Sequence, residues 1–138
     1  MTPARMAAEL AAAIDGPYRE DRTTGAAELA AEALRYLNYA TGPHAGLPYP
    51  ATVYAVAGSL SLAAGRLGQL MTNLGVYLSR ELAAGRLGED SGADPATTVD
   101  RTLYHLSVAG AAAGDLAAAL GAVQSDLSGT HYRPGGAR

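Results

Sequence analysis

The sequence predicts an all-α fold, an antiparallel helical bundle built on a long helical hairpin (residues about 50–87 and 95–128) with one or two shorter N-terminal helices. Alanine and leucine, which favour helices, dominate the composition, and β-branched residues are few. Apolar residues also recur every three or four positions through two long stretches. Segments rich in proline and glycine separate these stretches, as loops between helices do.

The N-terminal region predicts one weak helix and one amphipathic helix. Thr2-Pro3 is a typical helix start, and Gly16-Pro17 ends the alanine-rich run that follows it. This first helix has little apolar bulk, so we expect residues 1–22 to be attached more loosely. Residues 25–40 then have one apolar side, and Thr23 or Thr24 can cap that helix.

The central stretch keeps one helical phase for roughly ten turns. Gly65 and Gly68 interrupt it and leave two possibilities, one long helix or two helices broken there. We favour one helix because the phase is unbroken, with Gly85 or Gly88 as its left-handed cap. The predicted apolar side comprises Val53, Val56, Ala57, Leu60, Ala63, Ala64, Leu67, Leu70, Met71, Leu74, Leu78 and Leu82.

The last helix is predicted to begin at Asp94-Pro95 and to end near Leu127. Its apolar residues alternate in steps of three and four, close to the heptad spacing of a helix–helix seam. We expect residues 1–128 to form a single domain and residues 129–138 to be a disordered tail. The predicted seam is Val99, Leu103, Leu106, Gly110, Ala113, Ala117, Leu120 and Leu127, with Leu116 and Val123 alongside.

Composition narrows the classes of function. The net charge is −3 with a pI of about 5.5, and no basic stripe of the kind that nucleic-acid binding requires is present. Cysteine is absent, which excludes disulfides and thiolate metal sites. Glu9 interrupts the N-terminal apolar run, so we expect no signal peptide, no membrane partner and a cytoplasmic protein. The bias towards Ala, Gly, Arg and Leu indicates a bacterium with GC-rich DNA.

The sequence shows no catalytic machinery. None of the three histidines, His44, His105 and His131, has the spacing of a bundle metal site. Glu28 and Glu32 share a helix face, but Arg35 follows at helical spacing, which indicates a solvated ion-pairing face. We therefore expect no enzyme, no metal and no cofactor.

Tyrosines are the most distinctive feature. Tyr36, Tyr39, Tyr49 and Tyr54 lie around the 41–50 loop together with His44. Tyrosine is amphipathic and is enriched at binding surfaces. These five residues either hold the loop against the bundle end or contact a partner or ligand.

The predicted function is a non-catalytic interaction or assembly module that forms a homodimer or binds another helical protein. Leu62, Val76 and Tyr77 on the central helix and Val108 on the last helix lie away from the predicted seams, and exposed apolar groups of this kind mark interfaces. The alternative is a bundle that binds a small molecule in a tyrosine-lined pocket near the 41–50 loop. A third, weaker interpretation is a secreted hairpin effector or a mobile-element accessory protein.

Overall fold

The computed structural model describes residues 2–43 and 46–133. It contains four helices, α1 (Pro3–Ala12), α2 (Glu20–Ala40), α3 (Pro50–Ala83) and α4 (Pro95–Leu127), and no strand within those ranges. The all-α prediction is confirmed. The chain divides into two compact units, residues 1–48 and 49–138, and each is described by itself. The single domain predicted over residues 1–128 stays a prediction.

In the first unit, α1 begins as predicted, whereas α2 begins five residues early. The Thr2 side chain accepts a hydrogen bond from the Arg5 backbone N–H at 3.2 Å. The predicted start of this helix at residue 25, with a cap at Thr23 or Thr24, is wrong. Glu20 and Asp21 occupy the first turn of α2, where carboxylates favour the positive end of the helix dipole.

No residue of α2 is buried in the described part of the chain. Its predicted apolar side is at best half-buried, and the Leu34 side chain is 50% exposed. Most helical stability in proteins comes from packing of the apolar side, so α2 depends on local helix propensity more than α3 and α4 do.

The second unit is the predicted hairpin. Helix α3 runs for 34 residues, about 50 Å at 1.5 Å per residue, and it is continuous through Gly65 and Gly68. The predicted single helix is confirmed. Gly85 follows its end with φ +70°, the left-handed conformation that glycine adopts without strain. The opposite helix, α4, is capped by Asp94, whose side chain accepts a hydrogen bond from the Ala96 N–H at 3.0 Å.

Helices α3 and α4 pack along their length through small residues. The eight predicted seam residues of α4 are all buried or half-buried, which confirms that seam. No leucine of the hairpin is buried. The buried residues of α3 and α4 are Ala57, Ala64, Gly75, Val99 and Ala113.

Two contacts show how close the approach is. The Ser61 hydroxyl donates to the Ala117 carbonyl oxygen on the opposite helix at 2.8 Å, which fixes the register of the pair. A methyl group at Gly75 would lie 3.0 Å from Leu103 Cδ2, closer than carbon atoms normally pack. Small residues in the seam therefore bring the two helices close together and allow Leu103 to pack directly against Gly75.

Gly65 and Gly75 provide a matched pair for testing this packing. A methyl group at Gly65 would meet nothing within 4 Å, so Gly65→Ala should gain the helix propensity of alanine, about 0.5–1 kcal/mol. Gly75→Ala should gain clearly less, because its methyl group presses on Leu103. Urea denaturation followed by circular dichroism measures both. Equal gains would contradict the close approach at Gly75.

Candidate interaction surface

The flanks of the seam differ in chemistry. On each helix, the residue just before a seam position points to one side of the hairpin, and the residue just after it points to the other. Because α3 and α4 run in opposite directions, the preceding residues of both helices share one side. Leu67 precedes Gly68, Leu74 precedes Gly75 and Leu116 precedes Ala117. The hairpin thus has two distinct broad sides.

The side made by the preceding residues is an exposed apolar surface. Its largest side chains keep between 38% and 50% of their surface exposed. Between residues 56 and 78 of α3 and residues 102 and 125 of α4, this side presents no Asp, Glu or Arg. We call it the leucine face and define it by Leu67, Leu70, Leu74, Leu116 and Val123.

Charged residues are placed at the edges of this surface. Arg66 lies on the outer edge of α3, and Arg101 and Asp115 lie on the outer edge of α4, all exposed. Glu81 ends the leucine face on α3, and its side chain is only 18% exposed. An apolar centre with a charged rim is the usual composition of a protein interface.

The opposite side of the hairpin is a groove instead of a ridge. It contains an open cavity of about 670 Å³. Glycines form its floor and hydroxyl groups line it, because small residues follow the seam positions here. The lining includes Gly68, Thr72, Gly75, Val76, Ser79, Ser107, Gly110 and Ala111, with Arg80 at one end. We call this the glycine groove.

The structure places the tyrosines as follows. Tyr36 and Tyr39 are exposed on α2 at 71% and 75%, and the Arg35 guanidinium lies 6.0 Å from the Tyr39 ring centre. In the second unit, the Tyr49 ring meets Tyr132 edge to face at 6.1 Å. Thus Tyr132, in the predicted disordered tail, contacts the start of α3.

The remaining members of that group are Tyr54, which is 38% exposed, and His44, which lies outside the described residues. No tyrosine lines the glycine groove in the described part of the chain. The tyrosine-lined pocket therefore stays a prediction, and the cavity found lies elsewhere.

The four residues predicted for self-association are all exposed. Leu62 is 57% exposed, Val76 43%, Tyr77 61% and Val108 49%. They do not form one stripe, since Val76 lines the glycine groove while Tyr77 and Val108 lie at the outer edges. Their role in self-association stays a prediction.

Sequence reasoning placed Leu67, Leu70 and Leu74 in the seam, where they would be covered. That assignment is wrong, because a single neighbouring helix covers only part of the apolar arc of α3. The sequence feature that indicates this exposure is the width of the apolar arc of α3. A seam with one partner needs a narrow stripe, whereas α3 presents apolar residues over more than a third of its circumference.

Glu81 forms the one short ion pair of the hairpin connection. Arg86 Nε donates to Glu81 Oε2 at 2.5 Å, and Arg86 Nη2 donates to Oε1 at 3.1 Å. This hydrogen bonding, against a smaller desolvation effect, lowers the pKa of Glu81. The pair closes the end of α3 onto the loop that follows it.

A metal site and a membrane span are the two other kinds of functional element to consider in the described residues. Those ranges hold no group of three His, Asp or Glu side chains placed to bind a metal ion. Helix α4 is long and apolar enough to cross a membrane by length and composition, with a mean hydropathy of 1.6 in its most apolar window. A helix of a soluble bundle passes the same test, and Asp115 lies within this one.

Comparison with protein-family models, with curated proteins and with solved structures gives no match to this chain.

The ion pair predicts a pH effect. Since folding lowers the pKa of Glu81, its stabilising contribution is complete above the ordinary glutamate pKa and is lost as the pH falls through the lowered value. In Arg86→Gln, the Glu81 pKa should rise towards its ordinary range. A carbon-13 NMR titration of the carboxyl group measures it. Arg80→Gln is the control and should leave the Glu81 pKa unchanged; an unchanged value in Arg86→Gln would refute the assignment.

Proposed function

We propose that this protein is a non-catalytic interaction and assembly module that self-associates through the leucine face. The observation that carries the proposal is an exposed, uncharged apolar surface spanning both long helices. Exposed apolar surfaces of this extent and continuity mark protein interfaces in soluble proteins. The charged rim around it supports the same interpretation.

The packing of the hairpin supports the proposal independently. The described residues include no large side chain that is fully buried, and the core consists of alanines and one valine. Small domains with so little buried surface, and without disulfides, usually need a metal or an oligomer for stability. Covering the leucine face would convert its half-exposed leucines into core residues.

Composition supports the remaining parts of the proposal. With a net charge of −3 and no basic stripe, nucleic acid is a poor partner. We propose a cytoplasmic location and no membrane partner, because Asp115 would lie inside the apolar span of α4 in a bilayer. A helical partner fits the shape of a two-helix surface.

Solution mass tests the proposal. We expect about 28 kDa, twice the chain mass of 14.0 kDa, by light scattering over a hundredfold range of concentration. Circular dichroism should show a helical protein at every concentration. A helical 14.0 kDa monomer throughout would contradict self-association.

Substitutions on opposite sides of α3 locate the surface. Leu70→Ala removes apolar contact from both copies of a dimer, which should cost about 2 kcal/mol and weaken the dimer roughly thirtyfold. Leu70→Glu should give a monomer. Leu62→Glu is the matched control, since Leu62 is at least as exposed but lies off the leucine face. Sedimentation equilibrium measures all three; dissociation by Leu62→Glu alone would instead favour the surface predicted by Leu62, Val76, Tyr77 and Val108.

A second candidate function is binding of a small apolar molecule, and the glycine groove is the observation that favours it. Its volume of about 670 Å³ is that of a ligand pocket, and apolar walls with a few hydroxyl groups are typical of one. A concentration-dependent rise in melting temperature with 1-decanol would support it. Ala111→Leu fills the groove and should abolish that rise. If Tyr54→Ala abolished the rise instead, the molecule would bind at the predicted tyrosine pocket and not in the glycine groove.

A further inference from the structure

We propose that two copies pair so that α3 of each lies on α4 of the other, related by a two-fold axis parallel to the helices. This inference rests on the proposed self-association through the leucine face. It specifies which helix of one copy contacts which helix of the other, and therefore the identity and orientation of the partner surface. The charges at the rim favour this pairing.

The register of the hairpin gives the level of each rim charge. Ser61 bonds to Ala117, and a methyl group at Gly75 would touch Leu103, so these residues lie level with one another. Counting along both helices from these contacts places Arg66 within one turn of the level of Asp115. The same count places Glu81 about one turn from the level of Arg101.

Within one hairpin these opposite charges are apart, since one member of each pair is on the outer edge of α3 and the other on the outer edge of α4. In the described ranges, Arg66, Arg101 and Asp115 make no ion pair, and Glu81 pairs with Arg86. In a single copy these opposite charges at matched levels are held on opposite edges and do not pair with each other.

Rotation about an axis parallel to the helices brings these edges together. The partner's α4 then covers α3 without a change of level, so Arg66 meets the partner's Asp115 and Glu81 meets the partner's Arg101. By symmetry each contact occurs twice, as in any isologous interface. All neighbouring helices in the resulting four-helix bundle are antiparallel.

The other two-fold pairing is less favourable. It places α3 on the partner's α3 and reverses the level of every residue about the middle of the leucine face. Arg66 lies close to that middle, so it would meet the partner's Arg66. Ion pairs at a rim add little affinity but do select orientation, because like charges are penalised. The charges therefore favour α3 on α4.

Disulfide cross-linking tests the arrangement, since the chain has no cysteine of its own. Ala63 and Leu116 lie level on the leucine face, one on each helix. Single-cysteine variants Ala63→Cys and Leu116→Cys, unfolded in urea, mixed and refolded together, should give a mixed disulfide dimer on mild oxidation. Each variant alone should stay uncrosslinked. Leu67→Cys alone should also stay uncrosslinked, and rapid cross-linking of that variant would establish α3 on α3 and overturn the proposal.

Charge exchange gives a second, non-covalent test. Arg66→Asp and Asp115→Arg should each weaken the dimer severalfold, and the double variant should recover most of that loss, because each new charge meets its complement in the partner. No recovery would overturn the pairing. Light scattering separates the possible failures: a monomer refutes the proposed function itself, whereas a dimer without the mixed cross-link refutes only the arrangement. A mass that grows without limit would indicate head-to-tail stacking of the leucine face in the glycine groove and would also overturn it.

Discussion

The close approach of α3 and α4 determines most of what this chain presents to its surroundings. Alanine and glycine at the seam allow the two helices to pack closely, and the Leu103 side chain of α4 fits directly against Gly75 of α3. Close backbones gain dispersion contacts but bury little apolar area. Leu67, Leu70 and Leu74 of α3 fall outside this seam and remain exposed at its flank. The leucine face is thus a direct result of the small residues next to it.

The same seam produces the contrast between the two broad sides of the hairpin. On α3, leucines precede several seam positions, whereas many of the residues that follow seam positions on both helices are small or carry a hydroxyl group, so one side is a ridge and the other a groove. Neither side carries charge over most of its length. Across the seam, the Ser61 side chain donates one hydrogen bond to the Ala117 carbonyl oxygen. This bond fixes the register of α3 against α4 and adds little net stability.

Much of the fold could be predicted from the sequence, because local signals there agree. Asp94-Pro95 begins α4 as predicted, and the α4 seam is correct because its apolar stripe is narrow enough to have one interpretation. Gly85 ends α3 in the left-handed conformation. The sequence prediction starts α2 too late, because the charged residues Glu20 and Asp21 are typical of a polar loop. In the structure they occupy the first turn of α2, where carboxylates stabilise the helix.

The candidate surface was harder to predict than the fold. Helical phase tells which residues share an arc, but it does not tell how many neighbours cover that arc. Leu67, Leu70 and Leu74 were assigned to the seam on phase alone, and the structure leaves them exposed. Residues predicted for the same role, such as Leu62 and Val108, are exposed as well, so exposure by itself does not choose between the two sets. Continuity across both helices and the absence of charge do favour the leucine face.

The cap at Gly85 has a consequence for how the chain can be exchanged between molecules. Its positive φ turns the backbone out of α3 and allows α4 to return along the same chain. A residue with a Cβ atom disfavours that turn and favours continuation of the helix. Helix α4 would then pack along α3 of another molecule, with the same seam residues in contact. The positive φ values of Gly85 and of Gly92 in the same connection thus favour a self-contained hairpin over a domain-swapped one.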